Sequence, residues 1–180
     1  MGFCKIVAVF CGSALGANPA YAVAARRLGE LIGDQGRSLV FGGCLDGLMA
    51  EVANAAVSHG AQVYSEFVRD LYEISDHLPG ATETVHANVR ERKHGLIARS
   101  DACIMLPGGF GTLDEFTDVC AATQLGEVKC ALGILNIAGY YDPLLSYFER
   151  MRSEGFLSSE WDHLYVTSDT PEELLRLLDQ

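Results

Sequence analysis

Residues 106–115 read LPGGFGTLDE, and they follow directly on the apolar run ACIM at 102–105. An apolar run of this kind reads as a buried strand, and TLDEFTDVCAAT at 112–123 reads as a helix. Between them stand Pro107, Gly108, Gly109 and Gly111. Glycine loses backbone entropy on folding and offers nothing to pack, so three of them in four positions mark a sharp bend or a close approach of the backbone to something else. Two readings compete. Thr112-Leu-Asp-Glu115 has the T-x-x-E form of a capping box, which needs only a tight strand-to-helix turn. Alternatively, the bare amides at the helix start form a cradle for an anion. Phe110, an aromatic between two glycines of a turn, favours the second.

Outward from this stretch, apolar runs alternate with helix-period segments. IVAVF (6–10), SLVF (38–41), AQVY (61–64), TETVHA (82–87), ACIML (102–106), ALGILN (131–136) and HLYVT (163–167) are the expected strands. Ala24, Leu28 and Leu31 recur at helical spacing in the segment that ends near Gly36. NVRERKHGLIARS (88–100) reads as a helix that opens with Arg90, Glu91, Arg92 and Lys93, a basic cluster in an acidic chain. Asp142-Pro143 and Thr170-Pro-Glu-Glu173 look like helix starts, with a capping side chain before a proline. The pattern assigns no element to residues 65–81. Apolar strands separated by helices mean a parallel sheet covered on both faces. The expectation is one doubly wound α/β domain over residues 1–180, with about seven strands.

Composition narrows the function. The 180 residues are 49% hydrophobic and 21% charged, with a formal net charge of -11. That average repels a nucleic-acid backbone, whose binding needs a basic footprint. A small phosphorylated ligand remains compatible, because one pocket can be positive on an acidic surface. The N-terminal MGFCKIVAVFCGSALG reads as a buried strand, not a signal peptide. No apolar stretch reaches the roughly 18–20 residues that span a bilayer. Cys4, Cys11, Cys44, Cys103, Cys120 and Cys130 include no C-x-x-C pair and read as free thiols in a reducing cytoplasm. The five histidines show no metal-ligand spacing, so no metal is expected.

Glycines also follow the first strand (Gly12) and the second (Gly42, Gly43). In an open parallel sheet these turns share the carboxyl edge, where ligands bind at the switch point of strand order. Helix starts on that edge favour an anion, and phosphate is the natural guest. The dinucleotide pattern G-x-G-x-x-G fails at Asp114, and G-x-x-x-x-G-K-[ST] is absent.

Arg92-Lys93 followed by DACIMLPGGFGTLDE at 101–115 resembles the signature R-K…P-G-G-x-G-T-x-x-E of the LONELY GUY (LOG) family of cytokinin riboside monophosphate phosphoribohydrolases. CGSALGANPAY (11–21), VFGGCLDGLMAEVA (40–53) and GILNIAGYYDPLL (134–145) extend the likeness along nearly the whole chain. The resemblance implies hydrolysis of the N-glycosidic bond of adenine-type nucleoside 5′-monophosphates, with no metal or other cofactor, by a cytoplasmic homodimer. It implies that Arg92 and Glu115 are catalytic and that Gly108, Gly109, Gly111 and Thr112 bind phosphate. It places Lys93, Ser13, Gly42, Gly43 and Met49 on the nucleotide pocket. In this chemistry Glu115 stabilises positive charge at the anomeric carbon and orients water, and Arg92 holds Glu115 ionised. Asp114, about 100° away around the helix, is not expected to share that role.

The chain also departs from the family pattern. Cys44 replaces a third glycine, YSEFVRDL (64–71) replaces a G-V-I-P-like turn, and Val89 and Arg90 stand where Met and His are common. Base preference is therefore the property expected to differ. Proteins of this fold that carry molybdenum cofactor on a similar loop supply the alternative, a non-enzymatic carrier. A lysine decarboxylase would need a pyridoxal-phosphate lysine, and Lys5, Lys93 and Lys129 sit in no such motif. The paired tyrosines of GYYDPLL fit either a core or an interface.

Overall fold

The computed structural model describes residues 2–180. The strands are β1 (Ile6–Phe10), β2 (Ser38–Phe41), β3 (Val63–Val68), β4 (Thr82–His86), β5 (Ala102–Met105), β6 (Ala131–Leu135) and β7 (Val166–Ser168). All pair in parallel, in the order β4-β3-β2-β1-β5-β6-β7. The order reverses at β1, which pairs with β2 on one side and β5 on the other, so the loops after β1 and β5 diverge and leave a crevice. The helices are α1 (Pro19–Asp34), α2 (Gly47–Ser58), α3 (Arg69–Tyr72), α4 (Val89–Ala98), α5 (Phe110–Gln124), α6 (Asp142–Ser153) and α7 (Pro171–Leu178).

Alternation along each strand feeds two cores. Val7, Val9, Leu39, Phe41, Ile104 and Leu135 pack with Leu28, Val52 and Leu174 on the α1, α2 and α7 side. Ala8, Phe10, Val40, Met105 and Ile134 pack with Leu96, Phe116 and Phe148 on the α4, α5 and α6 side. Burial on both faces explains why these strands read as unbroken apolar runs. All six cysteines are free thiols.

Several expected details differ. β3 starts two residues later than expected and runs on to Val68, into the unassigned stretch. Its Glu66 disguised it as a loop, yet that side chain is almost wholly buried and paired with His86 and Arg99. β7 is Val166–Ser168, shorter than the expected 163–167 and shifted toward the C-terminus. Neither Asp142 nor Thr170 caps a helix through its side chain. Asp142 lies inside α6 and accepts from Asn136 Nδ2 at 2.7 Å, while the Thr170 amide donates to Ser168 Oγ at 3.1 Å. Side-chain caps do form at Asn18, which accepts from Ala20 N, and at Asn88, which accepts from Glu91 N.

At the strands' amino ends, far from the crevice, Arg37 is 3% exposed. It donates to Asp179 Oδ2 at 2.6 Å and to the Cys4 carbonyl at 2.6 Å, which fastens the end of α7 beside β1 and β2. Removing one member of such a pair strands a buried charge. We expect Asp179→Ala to cost about 3 kcal/mol, a fall in Tm of about 6–12 °C by calorimetry, with the crevice unchanged. Burial opposes ionisation of Asp179, but hydrogen bonds from Arg37 and the Cys4 amide outweigh it and hold its pKa below the usual value. The group therefore contributes stability above about pH 4, lost as pH falls through its lowered pKa. The Ala variant should lose less stability than wild type on acidification.

Candidate active site

The crevice between β1 and β5 opens into a cavity of about 680 Å³. Of the residues singled out above, Ser13, Gly42, Met49, Arg92, Gly109, Gly111, Thr112 and Glu115 line it. Gly43, Lys93 and Gly108 do not. Gly43, at φ +90°, faces the buried Phe67 ring, where a Cβ would come within 2.8 Å. Gly108 packs against Thr112 and the Gly12 amide, where a Cβ would meet Gly12 N at 2.9 Å. Lys93 turns away to Asp114 (3.1 Å) and Asp118 (3.4 Å) on α5. Asp114 is thus an outward-facing partner of Lys93, as its position around the helix requires.

The capping-box reading of 112–115 is not realised. α5 begins at Phe110 with Gly109 as its cap, so Thr112 lies in the first turn and Glu115 in the second. No side chain caps this helix start. Its first amides keep the donor capacity and partial positive charge of an open N-terminus. Gly109 and Gly111 have no packing reason to be glycine, because a Cβ at either would meet nothing within 4 Å, and neither has positive φ. Glycine inside a helix turn costs about 1 kcal/mol relative to alanine. These two instead leave the amide edge of α5 bare on the cavity side.

Arg92 leaves the first turn of α4 and crosses to α5. Its Nε donates to the Glu66 carbonyl of β3 at 2.8 Å, and its Nη1 donates to Glu115 Oε1 at 2.9 Å. The Arg92 and Glu115 side chains are 16% and 13% exposed. Gly42 makes the crossing possible, since a Cβ there would fall on Arg92 Nη2. Burial raises the Glu115 pKa, and the Arg92 guanidinium pulls it back only in part. The guanidinium does favour the carboxylate, but desolvation is larger.

The loops are fastened from below and from the side. The Gly12 amide donates to the Pro107 carbonyl at 3.0 Å and joins the turns after β1 and β5. Tyr141 Oη donates to the Leu106 carbonyl at 2.6 Å, and Tyr140 Oη to the Gly108 carbonyl at 2.7 Å. The GYY tyrosines therefore support the glycine turn. Tyr141 is buried, and Tyr140 stacks edge-on with Tyr21 and Tyr141.

Sequence reasoning missed Glu66 as the anchor of Arg92, and of the cavity's apolar rim it missed Ile74, having singled out Phe110, Val89 and the 64–71 stretch. Leu71, Ile74, Val89 and Phe110 line the cavity while staying exposed. Leu71 ends the departing 64–71 stretch, while Ile74 lies further along the unassigned 65–81 segment, where no pattern flagged it. Among the described residues no three His, Cys, Asp or Glu side chains converge as a metal would need.

The arrangement predicts two effects. Arg92→Met should raise the Glu115 pKa further, seen as an upward shift in the carboxyl-carbon NMR titration; no shift would mean the pair is not coupled. Gly42→Ala should leave the fold intact but break the Arg92–Glu115 contact, and it should move the same titration in the same direction.

Comparison with known proteins agrees with this picture. The family model described as "Possible lysine decarboxylase" matches residues 49–178. A probable cytokinin riboside 5′-monophosphate phosphoribohydrolase of Oryza sativa subsp. japonica is 39% identical over 176 residues, covering 97% of this chain and 72% of the relative. A cytokinin riboside 5′-monophosphate phosphoribohydrolase of Arabidopsis thaliana is 36% identical over 177 residues, covering 97% and 83%. In fold, the chain is similar to the molybdenum cofactor binding protein of Rippkaea orientalis, with TM-score 0.71 and 20% identity over 97% of this chain and 94% of that one. With relatives this similar over nearly its full length, and with Arg92, Gly109, Gly111, Thr112 and Glu115 of the R-K…P-G-G-x-G-T-x-x-E pattern on one crevice, the chain belongs to the LONELY GUY (LOG) family.

Proposed function

We propose that the protein hydrolyses the N-glycosidic bond of adenine-type nucleoside 5′-monophosphates, releasing free base and ribose 5-phosphate. One observation carries this reading: a bare, uncapped helix start and a buried carboxylate–guanidinium pair face the same cavity. The relatives' names support the same class of reaction. The volume suits a mononucleotide, since such sites usually span about 300–1,000 Å³.

In this reading the 5′-phosphate docks on the α5 amides at Gly109–Thr112, where the helix dipole favours it. Its binding energy fixes the ribose near Glu115. As the bond from C1′ to the base breaks, its electron pair leaves with the base and C1′ becomes cationic. The Glu115 carboxylate stabilises that charge and takes a proton from the attacking water, whose oxygen bonds to C1′; the departing base takes up one proton from solvent, and Glu115 returns its own to solvent, which restores the carboxylate. Arg92 keeps Glu115 ionised against its burial and offers Nη2 to the cavity. By its likeness to the LOG family, the enzyme would act as a cytoplasmic homodimer without metal or cofactor.

Decarboxylation through a lysine Schiff base is disfavoured by Lys93 itself. Burial presses its pKa down, but Asp114 and Asp118 outweigh that and hold it above the ordinary value. An amine kept charged and outside the cavity is a poor nucleophile. The retained Arg92–Glu115 pair also disfavours a pure carrier, because a carboxylate beside a bound anion weakens binding.

The test is base release from AMP and from nucleotides with apolar N6 substituents. Equimolar base and ribose 5-phosphate are expected. Glu115→Gln should lower kcat about 10²–10³-fold with an unchanged circular dichroism spectrum. Glu115 caps nothing, but Glu115→Ala leaves the buried Arg92 guanidinium without its partner, so it is read only alongside a measured Tm. Near-normal turnover by either variant contradicts the role given to Glu115, and no release by wild type from any nucleotide favours a carrier. The acid limb of kcat/KM should lie above pH 4.5, since the essential carboxylate has a raised pKa.

A further inference from the structure

The apolar rim is held by a polar latch that the proposed chemistry does not use. α3 has no buried residue, and Leu71, Ile74, Ser75 and Asp76 reach the cavity from it and from the turn that follows. Besides a Cys44 Sγ–Ser75 Oγ contact at 3.3 Å, a cluster around His77 ties this segment down. His77 Nδ1 lies 2.8 Å from Glu83 Oε1 of β4, and His77 Nε2 lies 3.1 Å from the Tyr72 carbonyl of α3. Tyr72 Oη donates to Glu83 Oε2 at 3.0 Å, and the Phe67 ring of β3 packs against both aromatic neighbours.

Both ring nitrogens of His77 face acceptors. A carbonyl oxygen only accepts, and a carboxylate that already takes the tyrosine proton on its other oxygen acts as an ionised acceptor. A neutral imidazole has one donor and an imidazolium has two, so both bonds exist together only when His77 is charged. We propose that His77, as an imidazolium, is the positioning residue that holds the 69–76 segment against the cavity, so that the grip on apolar base substituents weakens when it loses its proton. The inference rests on reading the cavity as a nucleotide pocket.

The charged and titratable neighbours agree in sign. Glu83 faces the ring from β4 and Asp76 adjoins it in the chain; both favour the cation. Tyr72 contributes its carbonyl from α3, with Glu73 beside it, and β3 contributes the uncharged Phe67 ring. The bonded Glu83 carboxylate is the largest influence and holds the His77 pKa above the ordinary histidine value, against a smaller opposing effect of burial. The latch is therefore complete below about pH 6.5 and is lost as pH rises through the raised pKa.

Two readouts test this. By NMR, the His77 ring should titrate above about 6.5, and Glu83→Gln should bring it down. Amide exchange of Leu71–Asp76, corrected for intrinsic rates, should speed up through the same pH in wild type. These measurements need no substrate; a ring that titrates at or below 6.5, or exchange that ignores it, overturns the latch. Kinetically, the KM of a nucleotide with an apolar N6 substituent, divided by that of AMP, cancels the substrate phosphate's own titration. In wild type this ratio should rise about fivefold across the His77 titration, equivalent to one net hydrogen bond, with little change in kcat. In His77→Gln it should sit at the high value at every pH. A flat ratio in wild type, or a variant that follows wild type, contradicts the proposal. Base release from neither nucleotide, with the NMR transitions present, would instead defeat the nucleotide-pocket reading.

Discussion

Arg92 passes its guanidinium between a residue without a side chain and the carbonyl of a strand, and the site depends on that passage. Nε is held by the Glu66 carbonyl, Nη1 meets Glu115, and Gly42 supplies the space beside Nη2. Three elements that are distant in the chain (β3, α4 and α5) are thereby brought to one point. A charged side chain stays this buried only when its donors are matched. Each contact therefore constrains the sequence elsewhere: glycine at 42, strand geometry at Glu66, and an acid at 115.

The same economy explains the two kinds of glycine around the crevice. Gly42, Gly43 and Gly108 are required by neighbouring atoms of the protein itself. Gly109 and Gly111 are not, and they stand where the first amides of α5 have no capping partner. A helix start without a cap and without side chains covering it is a stability cost that an incoming anion can offset. Glu115, destabilised as an anion by burial and relieved in part by Arg92, sits one turn further along the same helix. In the proposed reaction, phosphate affinity and carboxylate reactivity would thus be set by one element.

Much of this was legible in the residues. Strands buried on both faces betray themselves as apolar runs, and glycines after β1, β2 and β5 mark the carboxyl edge, so the fold and the position of the crevice followed. What escaped depended on tertiary partners. Glu66 broke the strand pattern because its polar partners, His86 and Arg99, lie 20 and 33 positions away in the chain. Lys93 was grouped with Arg92 by adjacency, but consecutive helix residues point about 100° apart. T-x-x-E at 112–115 imitated a cap because the true helix start lies two residues earlier. Ile74 came from a segment whose polar contacts have no sequence periodicity.

The central claim is that phosphate rests on the bare amides of α5 with the sugar turned toward Glu115. A crystal of the Glu115→Gln variant soaked with AMP tests it most directly. The account predicts phosphate oxygens within hydrogen-bond reach of the amides at Gly111 and Thr112, with C1′ beside residue 115. Phosphate bound elsewhere, or C1′ facing away from that side chain, would contradict it.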